Sequence, residues 1–235
     1  DGWLRLTDMQ LHTDDASLQG PLDIQPASRS ASGQLQLVVP GAQGQLGGKI
    51  APREGAGSLA LDVTDAARLT SWVRRLPRLS DAMALPDLRG KADLALQWQG
   101  GWQDLQDGLG SNTRVQATLR VPALALHTPG QGAAPALRVQ DARLVLTGTA
   151  AALTLTSSGQ LLRDTQVFTL QGLARGGRLP QGDWRLGVET LLAHLEDSRQ
   201  PGRWTVALQP PLSVQWRDTP DGGSLQTGSA QARLT

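Results

Sequence analysis

The sequence predicts an all-β protein: an elongated, curved and repetitive β-sheet groove with one short amphipathic helix. Three observations point there. Apolar residues alternate with polar ones at a period of two almost from end to end, the mark of strands with one dry and one wet face. Several strands open on glycine followed closely by tryptophan, as in Gly2-Trp3-Leu4-Arg5-Leu6, Gly182-Asp183-Trp184-Arg185-Leu186 and Gly202-Arg203-Trp204-Thr205-Val206. The apolar residues are mainly leucine, alanine and valine, with seven tryptophans, one phenylalanine and no tyrosine. A compact sandwich draws its core from bulkier aromatic and β-branched residues. Thin stacked rungs, each adding one modest side chain, fit this composition better.

The elements follow in order. Residues 3–63 read as about five strands. Leu4 and Leu6 alternate, then Met9 and Leu11 continue on the other parity, which predicts a bulge near Asp8. Leu35 and Leu37, then Leu59, Leu61 and Val63, follow, while Gly41, Gly44, Gly47 and Gly48 read as turns or weakly packed strand edges. Residues 64–76 break the pattern. Leu69, Trp72, Val73 and Leu76 fall on one helical stripe, Thr64 or Asp65 can cap its start, Pro77 ends it, and Arg74 and Arg75 suit its last turn. Such a helix can lie over a sheet end or face a membrane; covering apolar edge surface is the simpler role. Residues 77–87 form a Pro/Asp linker and a possible boundary within a single repetitive segment.

Alternation then resumes. Leu94, Leu96 and Trp98 share one parity, with Gln97 and Gln99 on the other. Val115, Ala117, Leu119 and Val121 share a face, and Pro122 shifts the phase to Leu124 and Leu126. Leu137 with Val139, Leu144 with Leu146, Leu153 with Leu155, and Phe168 with Leu170 give further strands. The last block holds strands from Trp184, Trp204, Leu212 and Leu225. Its two glycine-tryptophan starts suggest a degenerate repeat of hairpin size. Alternation is already under way at Trp3 and still under way at Leu234, as in a segment of a longer protein.

Reactive chemistry is sparse. The formal charge is +1 and only 18% of residues are charged, so no concentrated basic face invites nucleic acid. Cysteine is absent, and His12, His127 and His194 lie far apart with no metal-type partner at short spacing. Of 21 acidic residues only Glu54, Glu189 and Glu196 are glutamates, and many aspartates adjoin turn glycines. No calcium loop, nucleophile elbow or phosphate loop is present, and no cofactor is implied. No apolar stretch approaches the roughly twenty residues that span a bilayer. These exclusions direct attention to an extended surface. Trp3, Trp184 and Trp204 read as packing over turns or glycines. Trp98 and Trp216 end apolar rows, at the lip of a continuous greasy surface. The candidate residues for that surface are Leu94, Leu96, Trp98, Val115, Leu119, Leu153, Leu155, Val214 and Trp216.

Three stretches resemble the TamB/AsmA-like family of Gram-negative envelope proteins. They are Asp65-Ala66-Ala67-Arg68-Leu69 through Trp72 with Leu88-Arg89-Gly90 and Ala95-Leu96-Gln97-Trp98; Leu144-Val145-Leu146-Thr147-Gly148; and Trp204 to Leu208 with Leu212-Ser213-Val214-Gln215-Trp216. The resemblance implies a β-taco-like sheet whose concave side is apolar. It also implies a periplasmic location, within a parent anchored in the inner membrane and meeting a TamA-type outer-membrane barrel. The function so implied is intermembrane transport of phospholipids by their acyl chains, in support of outer-membrane biogenesis and protein assembly. A chaperone-like module that pairs with strands of barrel clients is the alternative. A β-helical enzyme acting on envelope glycans is a third class, requiring a carboxylate pair across a cleft. The groove reading makes a geometric demand: the apolar rows must line up across successive rungs into one face, flanked or plugged by the helix.

Overall fold

The computed structural model describes residues 2–76, 87–103, 113–127, 137–179, 182–209, 212–219, 222–228 and 231–234. Five strands come first: β1 (Leu4–His12), β2 (Ser17–Gln25), β3 (Ser30–Val39), β4 (Ala42–Ile50) and β5 (Ala56–Val63). Helix α1 (Ala66–Val73) follows. The long strands are β6 (Asp87–Gln99), β7 (Arg114–His127), β8 (Leu137–Thr149), β9 (Ala152–Arg163), β10 (Gln166–Arg178) and β11 (Trp184–Asp197). Shorter segments complete the chain: β12 (Gln200–Gln209), β13 (Leu212–Thr219), β14 (Gly222–Thr227) and β15 (Gln231–Leu234). From β1 to β12 each strand pairs antiparallel with the next, so the sheet is one continuous meander.

The fifteen segments make thirteen rungs. The upper half of β11, Leu192–Asp197, pairs with β12, and its lower half, Trp184–Val188, pairs with β13. Both run in the same direction along the same edge of β11, so β12 and β13 together occupy one rung. Pro210 and Pro211, which cannot donate to a ladder, separate the two halves in the sequence. Segments β14 and β15 extend the same arrangement by one rung, against β13 and β12. Among the described residues the sheet does not close: β1 pairs only with β2, β14 only with β13 and β15 only with β12.

Side-chain parity is preserved by bulges. Opposite Leu6 and Met9 of β1 stand Leu22 and Gly20, so β1 carries one extra residue at the expected slip near Asp8. The slip at Pro122 is a coupled event. Strand β7 has one residue more than β6 there, and β8 has one more than β9 at Asp141-Ala142. Pro122 and Asp141 are thus extra residues facing each other, and Asp141 adopts φ 48 to make the bend. A fourth bulge at Glu189 of β11 shifts Val188 and Leu191 onto one side. A one-residue slip would turn every later leucine outward, so each bulge falls where the sequence changes parity.

Helix α1 is shorter than the expected 64–76. Asp65 caps it, accepting from the backbone N–H of Ala67 at 3.0 Å and of Arg68 at 3.1 Å. Arg74 is the C-cap, so Arg74 and Arg75 lie past the last turn rather than in it, and Arg75 Nη2 reaches Asp15 Oδ2 at 3.1 Å. The helix start approaches Gly41, whose carbonyl accepts from the N–H of Thr64 and of Asp65, both at 3.0 Å. Gly41 has φ 79 in the Pro40-Gly41 turn, and a Cβ there would strike the Asp65 carbonyl. Gly44, Gly47 and Gly48, expected at turns or edges, lie inside β4 instead.

The core is small. Val39, Ala42 and Val63, at the ends of β3, β4 and β5, are buried with Ala66 of the helix, and Leu69, Trp72, Leu88, Ala92 and Leu124 pack around them. Elsewhere among the described residues only Ala51, Val121, Ala150 and Ala174 are buried apolar side chains. The accessible surface is 15331 Å². A compact chain of this length would expose about 10,000 Å². The fold gains its order from ladders between neighbouring rungs, as in other quasi-one-dimensional proteins.

Candidate functional site

Residues directly opposite in an antiparallel ladder project to the same side, so register defines the faces. One row can be followed across ten successive rungs: Leu35, Leu46, Leu59, Leu96, Ala117, Leu146, Leu155, Ala174, Val188 and Leu212. At ~4.8 Å per spacing the nine steps cover about 43 Å. No polar side chain interrupts it. Flanking rows are similar, for example Leu61, Leu94, Leu119 and Leu144.

All nine candidate residues stand on this face. Leu94, Leu96 and Trp98 are alternate residues of β6, and Trp98 lies opposite Val115, Leu94 opposite Leu119. Leu153 and Leu155 join through β8, and Val214 and Trp216 join through Leu186 and Trp184 of β11. Their neighbours in sequence alternate in exposure: along β6, Leu94, Leu96 and Trp98 are half-buried while Asp93, Ala95, Gln97 and Gln99 are exposed. The face is wetter toward the ends of the sheet. Eleven large apolar side chains are exposed among the described residues. Nine belong to this face, including Leu4, Leu11, Ile50, Leu191 and Leu225; Trp3 and Val38 are the exceptions.

Sequence reasoning set Trp184 and Trp204 apart from the groove. Register places both on it, Trp184 opposite Trp216 and Trp204 opposite Leu195, at 39% and 44% exposure. Alternation with Leu186 and Val188, and with Val206 and Leu208, gives each tryptophan the apolar parity of its own strand, and the pairing partners show that this parity lies on the same face as the candidate residues. Asp183 positions the Trp184 pair: its buried carboxylate accepts from Gln215 Nε2 at 2.9 Å and Arg217 Nε at 3.1 Å, tying β11 to β13. Trp3 points the other way and lies under the Arg5 guanidinium, 4.2 Å from its ring centre.

Two features close the apolar face locally. Helix α1 covers its margin at β3–β7. On the opposite margin Trp98 lies against Gly57, the partner of Gly48, which in turn partners Gly33. The indole occupies the space that a Gly57 side chain would fill. A residual pocket of about 50 Å³ remains between Trp98, Leu22, Leu35, Leu46 and Ile50.

The opposite face is mixed, mostly polar with Val38, Val145, Leu173 and Leu192 among its residues, and holds the larger hollows. One, of about 540 Å³, is bordered by Asp62, Asp93, Thr118 and Arg120. Another, of about 570 Å³, is bordered by Arg143, Ser158, Gln171 and Thr190. Among the described residues no three His, Cys, Asp or Glu side chains gather where a metal could bind. One carboxyl is displaced from its ordinary range. The N–H of Arg199, then the Thr165 hydroxyl and the Gln166 amide, hold Asp197 below the usual carboxylate value. That cluster ties two neighbouring turns at the end of β10 and β11. No described helix is long and apolar enough to cross a membrane.

No protein-family profile, curated protein or solved structure matches this chain.

Proposed function

We propose that this chain is a lipid-conducting segment of a TamB/AsmA-like envelope protein. One observation carries the reading: the unbroken ten-rung apolar row on an open sheet, with exposed leucines toward both ends and exposed tryptophans at the β11–β13 end. A closed sandwich would spend such a row on its own core. Here the row is available to acyl chains, and each methylene taken from water is worth roughly 0.8 kcal/mol without any directed hydrogen bond. Successive rungs differ by little more than Leu, Ala or Val, so a chain moving along the row meets no deep well. In this reading the segment works non-catalytically in the periplasm, within a parent anchored in the inner membrane and coupled to a TamA-type barrel.

The test is parity. Photo-crosslinkers at Leu96 and Leu119 should capture phospholipid in cells, and those at the polar-face residues Gln97 and Gln116 should not. Equal labelling on both faces would refute the groove. A second reading, a chaperone-like module for barrel strands, draws on the unpaired outer edge of β1. Prolines along β1 would then abolish capture of a client strand and leave lipid labelling at Leu96 intact.

A further inference from the structure

We propose that the polar face carries a binding site for a phosphate ester, centred on Arg143. The site lies on the side of the sheet away from the apolar row and stands apart from the lipid reading. Arg120 and Arg143 are directly opposite each other on β7 and β8. Like charges in that relation destabilise a sheet unless something neutralises them. Neither guanidinium has a carboxylate within 4.0 Å among the described residues. Arg120 has the acidic Asp93 as its register partner on the far side, whereas the far-side partner of Arg143 is the neutral Ser158.

Beyond Arg143 the same polar row continues into neutral donors. Ser158 is its partner on β9, and Gln171 is the partner of Ser158 on β10. These residues, with Thr156 and Thr190 and the apolar Val145, Leu173 and Leu192, border the hollow of about 570 Å³, and no carboxylate borders it among the described residues. A planar guanidinium offers two parallel donors to a phosphate, and hydroxyl and amide donors complete its remaining oxygens. The Pro122–Asp141 double bulge, immediately beside the arginine pair, fixes the local twist and holds the pair at one place on the sheet.

The experiment compares wild type with Arg143→Gln, Arg143→Lys and, as a control, Arg163→Gln at the far end of β9. Thermal unfolding is followed with added inorganic phosphate or glycerol phosphate against chloride of equal ionic strength, and flotation with phosphatidylglycerol against phosphatidylcholine vesicles. Without phosphate, Arg143→Gln should unfold no earlier than wild type, because a repulsion is relieved. With phosphate, wild type and Arg163→Gln should rise in midpoint, Arg143→Lys should rise less, and Arg143→Gln should show at least a tenfold weaker response. A response to soluble esters alone identifies a free ester, and one to phosphatidylglycerol alone identifies a lipid headgroup. Equal responses in wild type and Arg143→Gln, no response to any of these probes, or early unfolding of Arg143→Gln without phosphate would overturn the proposal. None of these outcomes bears on lipid labelling at Leu96.

Discussion

Replacing Gly57 by alanine tests how Trp98 is seated on the apolar face. A Cβ at residue 57 would overlap Cζ2 and Cη2 of the Trp98 indole and also press on the Gly47 carbonyl. The indole is the nearer obstacle, with the Gly47 carbonyl of the neighbouring strand just behind it. Overpacking of this kind costs about 1–3 kcal/mol. Restricting the unfolded chain returns about 0.4–1 kcal/mol. The net expectation is a loss of about 1–2 kcal/mol, or about 2–8 °C in unfolding midpoint for a chain of this size. Urea denaturation read by tryptophan fluorescence measures it, with Trp98→Ala and the double variant completing a cycle. If the ring is the main obstacle, Gly57→Ala costs less in the Trp98→Ala background, and the emission of Trp98 shifts to the red in Gly57→Ala alone. A neutral Gly57→Ala, or a cost unchanged by removing the indole, would refute the argument that the glycine exists to seat this tryptophan.

Two further outcomes follow from named contacts. Asp65→Ala removes the acceptor for two helix N–H groups and should cost about 1 kcal/mol, with hydrogen exchange rising in α1 before it rises in β6. Asp197 has its folded value lowered by the Arg199 N–H, the Thr165 hydroxyl and the Gln166 amide. Its contribution is therefore fully present above the unfolded carboxylate value of about 3.8 and is lost as pH falls below it toward the lowered folded value. Asp197→Asn should flatten the pH dependence of stability below pH ~4 and leave the dependence above pH 5 unchanged.

The alternation of Leu94, Leu96 and Trp98 against Gln97 and Gln99 determined strand and face without any partner, because a period of two leaves only one arrangement in which the leucines stay dry. The slips at Asp8 and Pro122 were visible for the same reason: parity changed within an otherwise regular run. The helix was legible from its stripe and its Asp65 cap, but not its end, since Arg74 and Arg75 suit a last turn and a position just beyond it equally well. What the sequence lacked was the neighbour. Gly44 and Gly48 look like turn residues until β3 and β5 are placed beside them. The joining of β12 to β13 as one rung depends on which edge of β11 they share. That the apolar parities of Trp184 and Trp204 fall on the same face as the ten-rung row depends on Trp216 and Leu195, residues 32 and 9 positions away respectively. Local alternation is a property of one strand's own backbone geometry and can be read from its residues. The alignment of ten rungs into a single row is a property of register between strands, which pairing and bulges decide only in the folded sheet.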